Sequence, residues 1–112
     1  MLRCAASLDS RTIPESYILL RDVARVPYGI QFQQPEALAQ QVSIARPIAL
    51  LEYDGALVVG AHVLEAFDRL EVLEATAEAL INSRLLGEVA PMSEAVIDDL
   101  KRAFLAMWPG GV

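Results

Sequence analysis

The sequence predicts a mixed α/β layer structure with a small, mainly antiparallel sheet, and three observations support this fold class. Two apolar runs flank Asp54-Gly55 within residues 48–60, which is the pattern of a β-hairpin with a two-residue type I′ turn. An amphipathic run follows over residues 62–86, with apolar residues at steps of three and four, as in a long helix. Shorter helical segments that begin with proline precede the hairpin. We therefore expect a central hairpin that packs against a long helix.

Length and composition limit the classes of protein to consider. A chain of 112 residues is expected to form a single domain over residues 1–112. Its hydrophobic fraction of 54% is high for a domain of this size, so we expect a partner to cover part of the apolar surface. The net charge of −6 argues against nucleic-acid binding, and the lone Cys4 excludes an internal disulfide. No signal peptide and no apolar stretch of about 18 residues is visible, so we expect a soluble, cytoplasmic protein without a membrane partner.

The segments before the hairpin are interpreted from proline positions, turn residues and apolar spacing. In chain order they are the end of a helix at 2–8, a turn at 9–10, an extended piece at 11–13, a helix at 14–21, a brief strand at 24–28, a loop at 29–34 and a helix at 35–45. Pro27 is expected to keep the brief strand at an edge or a strand end. The small sheet that results leaves an edge, and such edges are normally paired or covered.

The long helix has apolar residues on more than one side, so we expect neighbouring elements or a partner to cover more than one of its sides. Its spaced positions are Val63, Phe67, Leu70, Leu73, Ala77, Leu80 and Arg84, and further apolar residues widen this surface. Glu65 and Arg69 are expected to form an i, i+4 ion pair on the solvent side. The acidic series along the same helix is interpreted as a solvated face. Gly87 is expected to stop this helix, and Ser93 to cap a last one.

No complete catalytic motif is present: the sequence has no P-loop, GxGxxG, HExxH or GxSxG. His62 is interpreted either as a ligand or base, or as an ordinary residue near a helix start. Glu52 and Asp54 are interpreted either as a cation-binding or acid/base pair, or as a solvent-facing residue beside a turn residue. The sequence has three tyrosines, Tyr17, Tyr28 and Tyr53. Each is interpreted either as a proton donor through its phenol group or as a half-buried aromatic residue.

An ordered set of segments resembles the class II aldolase/adducin head family, which includes sugar-phosphate aldolases and ribulose-phosphate epimerases. The resembling segments are residues 4–8, 11–14 and Tyr17, then Val26-Pro27-Tyr28, the hairpin at 50–60, the helix segments 64–67 and 70–74, and Pro91-Met92-Ser93. The hairpin is similar to the family signature of two leucines, two residues, His-Gly, an apolar strand and a glycine. The resemblance covers roughly residues 4–105 and corresponds to the C-terminal half of the family's domain.

The resemblance implies a partial aldolase-like α/β/α fold and a site for which most parts are missing. The family holds a divalent metal, typically zinc, with three histidines, and a carboxylate moves protons. Two of those histidines and the carboxylate would precede the segment that matches Cys4. The third histidine position is occupied here by Asp54, so the resemblance implies no metal ligand set and no cofactor. Only Tyr17 matches a functional position, a tyrosine that serves as a proton donor from a neighbouring subunit.

These observations predict a catalytically inactive, truncated relative that acts as an oligomerisation or interaction module. The expected partner is a second copy, or a complementary chain, that covers the apolar helix and the sheet edge. A non-functional gene remnant is a further possibility. The main alternative is a metal-dependent aldolase or epimerase acting on a sugar phosphate. In that case another chain or an upstream segment would supply the metal-binding half, with zinc or another divalent metal as cofactor.

Overall fold

The computed structural model describes residues 8–104, which form five α-helices, one short 3-10 helix and a three-stranded sheet. In chain order the elements are the 3-10 helix Ser10–Thr12, α1 Pro14–Leu20, β1 Ala24–Val26, α2 Ile30–Gln33, α3 Pro35–Gln41, β2 Ile48–Leu51, β3 Gly55–Val58, α4 Val63–Ser83 and α5 Glu94–Ala103. The predicted helix end before residue 8 and the lone Cys4 lie outside the described residues. The mixed α/β class predicted from the sequence is confirmed.

The sheet is mixed rather than mainly antiparallel. Its strand order is β1-β2-β3, with β1 parallel to β2 and β2 antiparallel to β3. The connection from β1 to β2 contains α2 and α3, and parallel neighbours require a crossover connection of this kind. The sequence prediction missed the parallel pair because the brief strand carries no signal for its direction. Within residues 8–104, β1 and β3 are the two edges of the sheet.

The hairpin is present within residues 48–60, but its turn differs from the predicted Asp54-Gly55 turn. Leu51 pairs with Gly55, so Gly55 already belongs to β3 and residues 52–54 form the loop. The N–H of Asp54 donates to the carbonyl of Leu51 at 3.1 Å. Tyr53, with φ of 62°, takes the left-handed position that a type II turn normally gives to glycine or asparagine. The predicted two-residue turn at Asp54-Gly55 is therefore wrong: the loop has three residues, 52–54, and begins two positions earlier.

Apolar side chains cover both faces of the central strand β2, which produces three layers. On one face, Ile48 and Leu50 pack with Leu20 of α1 and Leu73 of α4. On the other face, Ala49 and Leu51 of β2 pack with Ala24 and Val26 of β1, against side chains from α2 and α3 such as Ile30 and Leu38. The sheet is thus enclosed between α1 and α4 on one side and α2 and α3 on the other.

Several predicted segment boundaries need correction. The predicted loop at 29–34 contains α2, which begins after Gly29, a residue with φ of 94°. The predicted helix at 35–45 ends at Gln41, because residues 43–46 close a turn in which the N–H of Arg46 donates to the carbonyl of Ser43 at 3.1 Å. The long helix was predicted over residues 62–86 and spans Val63–Ser83. The predicted extended piece at 11–13 lies largely within the 3-10 helix, which the Asp9 carboxylate caps.

The start of α4 lies very close to the residue that ends the hairpin. A Cβ atom on Gly60 would lie 2.7 Å from the backbone nitrogen of Ala66. Only glycine therefore allows β3 and α4 to approach at this point. The last helix begins as predicted: the Ser93 hydroxyl accepts the N–H of Val96 at 3.3 Å.

Candidate functional site

Tyr17, the residue predicted to match a catalytic position, is deeply buried. It lies on α1 with 2% of its surface exposed, and it packs against Ile97 of α5. The guanidinium carbon of Arg11 lies 5.5 Å from the centre of the ring, within the range of a cation–π contact. The Tyr17 ring therefore connects α1 to α5, and the Arg11 guanidinium lies over its face. Its proposed role as a proton donor stays a prediction.

Arg11 links three segments around Tyr17. Its guanidinium contacts Asp22 at 3.4 Å and Glu94 at 3.1 Å, and its carbonyl accepts the N–H of Met92 at 2.8 Å. Burial lowers the pKa of Arg11, but the charges of Asp22, Tyr17 and Glu94 outweigh it, and the pKa is raised overall. These contacts attach the start of α5 to the N-terminal segment.

Two further arginines are buried near the interface between α1 and α4. Arg69 of α4 is 1% exposed and donates to the carbonyls of Leu19 at 3.2 Å and Val59 at 3.0 Å. It also pairs with Glu65 at 2.5 Å. The predicted i, i+4 pair is confirmed, but its predicted position on the solvent side is wrong. Arg21 is buried as well, and burial followed by the charge of Arg69 lowers its pKa.

The loop of the hairpin collects the predicted acidic pair and two tyrosines. We call Tyr28, Gln31, Glu52, Tyr53 and Asp54 the tip patch. The amide of Gln31 donates to the Asp54 carboxylate at 3.1 Å, and the backbone N–H of Tyr28 donates to the Glu52 carboxylate at 3.4 Å. The rings of Tyr28 and Tyr53 meet edge to face, with centres 5.7 Å apart and planes at 85°. The patch therefore brings together residues from the end of β1, from α2 and from the hairpin.

The position of the tip patch follows from the topology. Because β1 and β2 are parallel, their carboxyl ends lie side by side at one end of the sheet. This end is the usual location of ligand sites in open α/β sheets. The sequence placed Glu52 and Asp54 together, but it gave no signal for the approach of Tyr28 and Gln31. That approach depends on the parallel pairing, which the sequence did not reveal.

The structure does not join the predicted site residues into one centre. Tyr17 belongs to the contact cluster of α1 and α5, whereas Asp54 belongs to the tip patch. His62 lies at the start of α4, where its Nδ1 accepts the N–H of Glu65 at 3.3 Å, as a helix cap does. Within residues 8–104, no group of three or more His, Cys, Asp and Glu side chains has the arrangement to hold a metal ion.

One face of α4 is apolar and exposed. We call Val63, Phe67, Leu70 and Ile81 the α4 stripe. Their spacing places them on one side of the helix, about a third of a turn away from Arg69, Leu73 and Thr76, which face the interior. Val63 is 86% exposed and Ile81 is 68% exposed. In the acidic series that was predicted to be solvated, Asp68, Glu71, Glu74 and Glu78 are exposed as predicted, whereas Glu65 is only partly exposed because it pairs with Arg69. The sequence signal for the stripe was the excess of apolar residues on this helix.

A wide groove lies between the 3-10 helix and the C-terminal end of α4. It has a volume of about 560 Å³ and is lined by Asp9, Thr12, Leu80, Arg84 and residues 87–89. Its charged groups are of both signs, so it does not favour a ligand of either charge. The sequence gave no indication of this groove.

No protein-family model, no curated protein and no solved structure matches this chain in sequence or fold comparisons. Within residues 8–104, no helix combines the length and the apolar character that are needed to cross a membrane. The fold class and the geometry described above therefore carry the functional argument.

Proposed function

We propose that this chain is an interaction module that associates with a second copy of itself through the α4 stripe. The observation that carries the proposal is the exposure of large apolar side chains on one side of α4, beside the residues that face the core. Exposed apolar surface of this kind usually marks an interaction site, since burying it removes apolar area from contact with water.

The α4 stripe has the symmetry that a twofold pair of helices requires. Val63 and Ile81 are equally distant from residue 72, and so are Leu70 and Glu74. In an antiparallel pair centred on residue 72, Val63 of one copy meets Ile81 of the other, which gives a contact about 27 Å long. The same patch then serves both copies, as an isologous interface demands.

Charge on the stripe is expected to limit the affinity of this pair. Glu74 lies between Leu70 and Ile81 on the same side of the helix, so pairing would remove its carboxylate from water opposite Leu70 of the second copy. The net charge of −6 also makes two copies repel each other. We therefore expect association to strengthen with added salt, and Glu74→Leu to strengthen it further.

Sedimentation equilibrium tests the proposal. We expect the wild-type chain to form a dimer at about 100 μM, a concentration typical of weak self-association. Ile81→Glu should yield a monomer that is still folded by circular dichroism, because Ile81 is mostly exposed. Ala75→Glu adds the same charge to an exposed position of the same helix outside the stripe, and it should leave the dimer intact. A monomeric wild-type chain at every concentration, or a dimer unaffected by Ile81→Glu, would refute the proposal.

The proposal extends to ancestry: the chain is a non-catalytic relative of the C-terminal half of the class II aldolase/adducin head domain. Its support is the resemblance of the sequence segments, together with Asp54 in the hairpin loop where the family places a histidine. Under this proposal Tyr17 serves packing rather than proton transfer. Metal analysis of the purified chain provides the test, and about one tightly bound zinc per chain would favour the alternative, a metal-dependent aldolase or epimerase.

A further inference from the structure

The tip patch carries an inference that is independent of the α4 stripe. The side chains of Tyr28 and Tyr53 are 64% and 57% exposed, although their rings contact each other. A perpendicular pair of rings leaves a corner that is bounded by a face of each ring. The faces of aromatic rings carry the negative end of the ring quadrupole, so such a corner attracts cations.

Charges beside the rings have the sign that favours a cation. Glu52 and Asp54 flank Tyr53 in the loop, and Arg25 lies 3.6 Å from the Glu52 carboxylate. The charges of Glu52, Asp54 and Arg25 add up to −1. The carboxylates are already engaged in hydrogen bonds and an ion pair, to Gln31, to the Tyr28 backbone and to Arg25. A cation that needs negative potential but no hydrogen bonds therefore fits better than a guanidinium or a primary ammonium.

Contacts between three elements position the backbone segments that carry the two rings. The N–H of Glu52 donates to the carbonyl of Val26 at 3.1 Å, and Gln31 of α2 contacts Asp54. Tyr53 itself occupies a left-handed backbone position, which is strained for a bulky residue. Because Tyr53 is mostly exposed, burial of its side chain in this chain offsets little of that strain.

We propose that the tip patch binds a quaternary ammonium group in the corner between the rings of Tyr28 and Tyr53. The group has methyl carbons that contact ring faces, a full positive charge and no N–H. Two sources share this chemistry, a free choline-like compound and a trimethylated lysine side chain on a peptide. The site lies at the carboxyl ends of β1 and β2 and leaves the α4 stripe unoccupied.

Proton NMR titration of the full chain tests the proposal, with choline, with a trimethyllysine peptide and with 3,3-dimethylbutanol, the uncharged carbon analogue of choline. We expect millimolar binding of at least one of the two cations, with upfield shifts of its methyl protons over the ring faces. The uncharged analogue should bind several-fold more weakly, which is the size of a cation–π contribution at an exposed site. Binding of choline alone identifies the small-molecule source, and binding of the peptide alone identifies the peptide source.

Variants separate binding from folding. Tyr53→Asn removes one ring and places a residue that tolerates the left-handed position, so the protein should stay folded and lose binding at least fivefold. Tyr28→Leu should have the same effect on binding. Phe104→Leu, which removes an exposed ring elsewhere, is the matched control and should bind as the wild type does. Equal binding of the cation and the uncharged analogue, or wild-type binding by Tyr53→Asn and Tyr28→Leu, would overturn the proposal.

Discussion

Replacement of Arg69 by methionine should cost this protein a large share of its stability. The Arg69 guanidinium joins three elements, since it donates to the carbonyl of Leu19 at the end of α1 and to that of Val59 after β3, and pairs with Glu65 of α4. Methionine keeps much of the aliphatic volume but has no N–H groups. The Arg69→Met variant therefore leaves two carbonyls and a carboxylate without this donor in a partly buried region.

The size of the loss follows from these contacts. Removal of one partner from a buried ion pair costs about 3–5 kcal/mol, because the remaining charge loses its compensation. The Glu65 side chain is about one quarter exposed, so water replaces part of what it loses. We therefore expect the free energy of unfolding to fall by about 3 kcal/mol, at the lower end of that range. A domain whose total stability lies at the lower end of the usual range, about 5 kcal/mol, would then retain only about 2 kcal/mol.

Urea denaturation followed by circular dichroism at one fixed protein concentration measures the loss. With a slope of about 1.5 kcal/mol per molar urea, the midpoint should fall by about 2 M. Glu65→Gln keeps both carbonyl bonds of Arg69 and should lose less. Arg102→Met removes an exposed arginine that pairs with Asp99, and it should have almost no effect. A shift below about 0.5 M for Arg69→Met, or a shift equal to that of Arg102→Met, would contradict the role that the structure gives to Arg69.

Two further predictions concern close contacts of the core. Gly60→Ala should lower the free energy of unfolding by about 1–3 kcal/mol in the same assay, because the new methyl group would lie 2.7 Å from the Ala66 nitrogen. Gly55→Ala is the control: its new methyl group would have no atom within 4 Å, so the free energy of unfolding should change by less than about 0.5 kcal/mol. The hydroxyls of Ser16 and Thr76 lie 2.6 Å apart in the interior, so Thr76→Val alone should cost about 1–2 kcal/mol. The double variant with Ser16→Ala should recover part of that loss, and an additive loss would show that the two hydroxyls do not depend on each other.

Local signals in the sequence identified most of the regular elements. The proline at the start of α1, the Ser93 cap of α5 and the apolar periodicity of α4 each depend on residues within one or two turns of each other. Such signals are sufficient because helix starts are determined by short-range hydrogen bonds. The ends were less accurate: α3 and α4 stop earlier than predicted, where turns replace helical hydrogen bonds.

The hairpin shows where a local pattern fails. Asp54-Gly55 predicted the turn, yet Gly55 pairs with Leu51 and the left-handed residue is Tyr53. Register is normally determined by the alternation of buried and exposed residues along a strand. All four residues of β2 are buried, so its sequence contains no such alternation and does not define the turn position.

The sequence indicated that α4 carries an excess of apolar residues, but it could not show which side of α4 faces outward or how the tip patch assembles. The i, i+4 spacing of Glu65 and Arg69 is typical of an exposed pair, and only the packing of α1 against α4 shows that Arg69 is interior. Once that side of α4 faces the core, the positions of Val63 and Phe67 must face outward. The tip patch likewise requires the parallel pairing of β1 with β2.

The distribution of large side chains argues that this protein functions by contact with other molecules. Among residues 8–104, Tyr17 is the one aromatic residue in the core, and the exposed rings are Tyr28, Phe32, Tyr53, Phe67 and Phe104. The interior instead contains two arginines, which are costly to bury, while the rings that would gain most from burial face the solvent. A sheet of three short strands has too little area to bury both sets of side chains. Contact with another molecule would bury these rings, and we propose that this is the benefit of their exposure. We propose two separate contact sites, the α4 stripe and the tip patch. The sedimentation and titration experiments probe different residues, so each experiment can refute its own proposal without affecting the other.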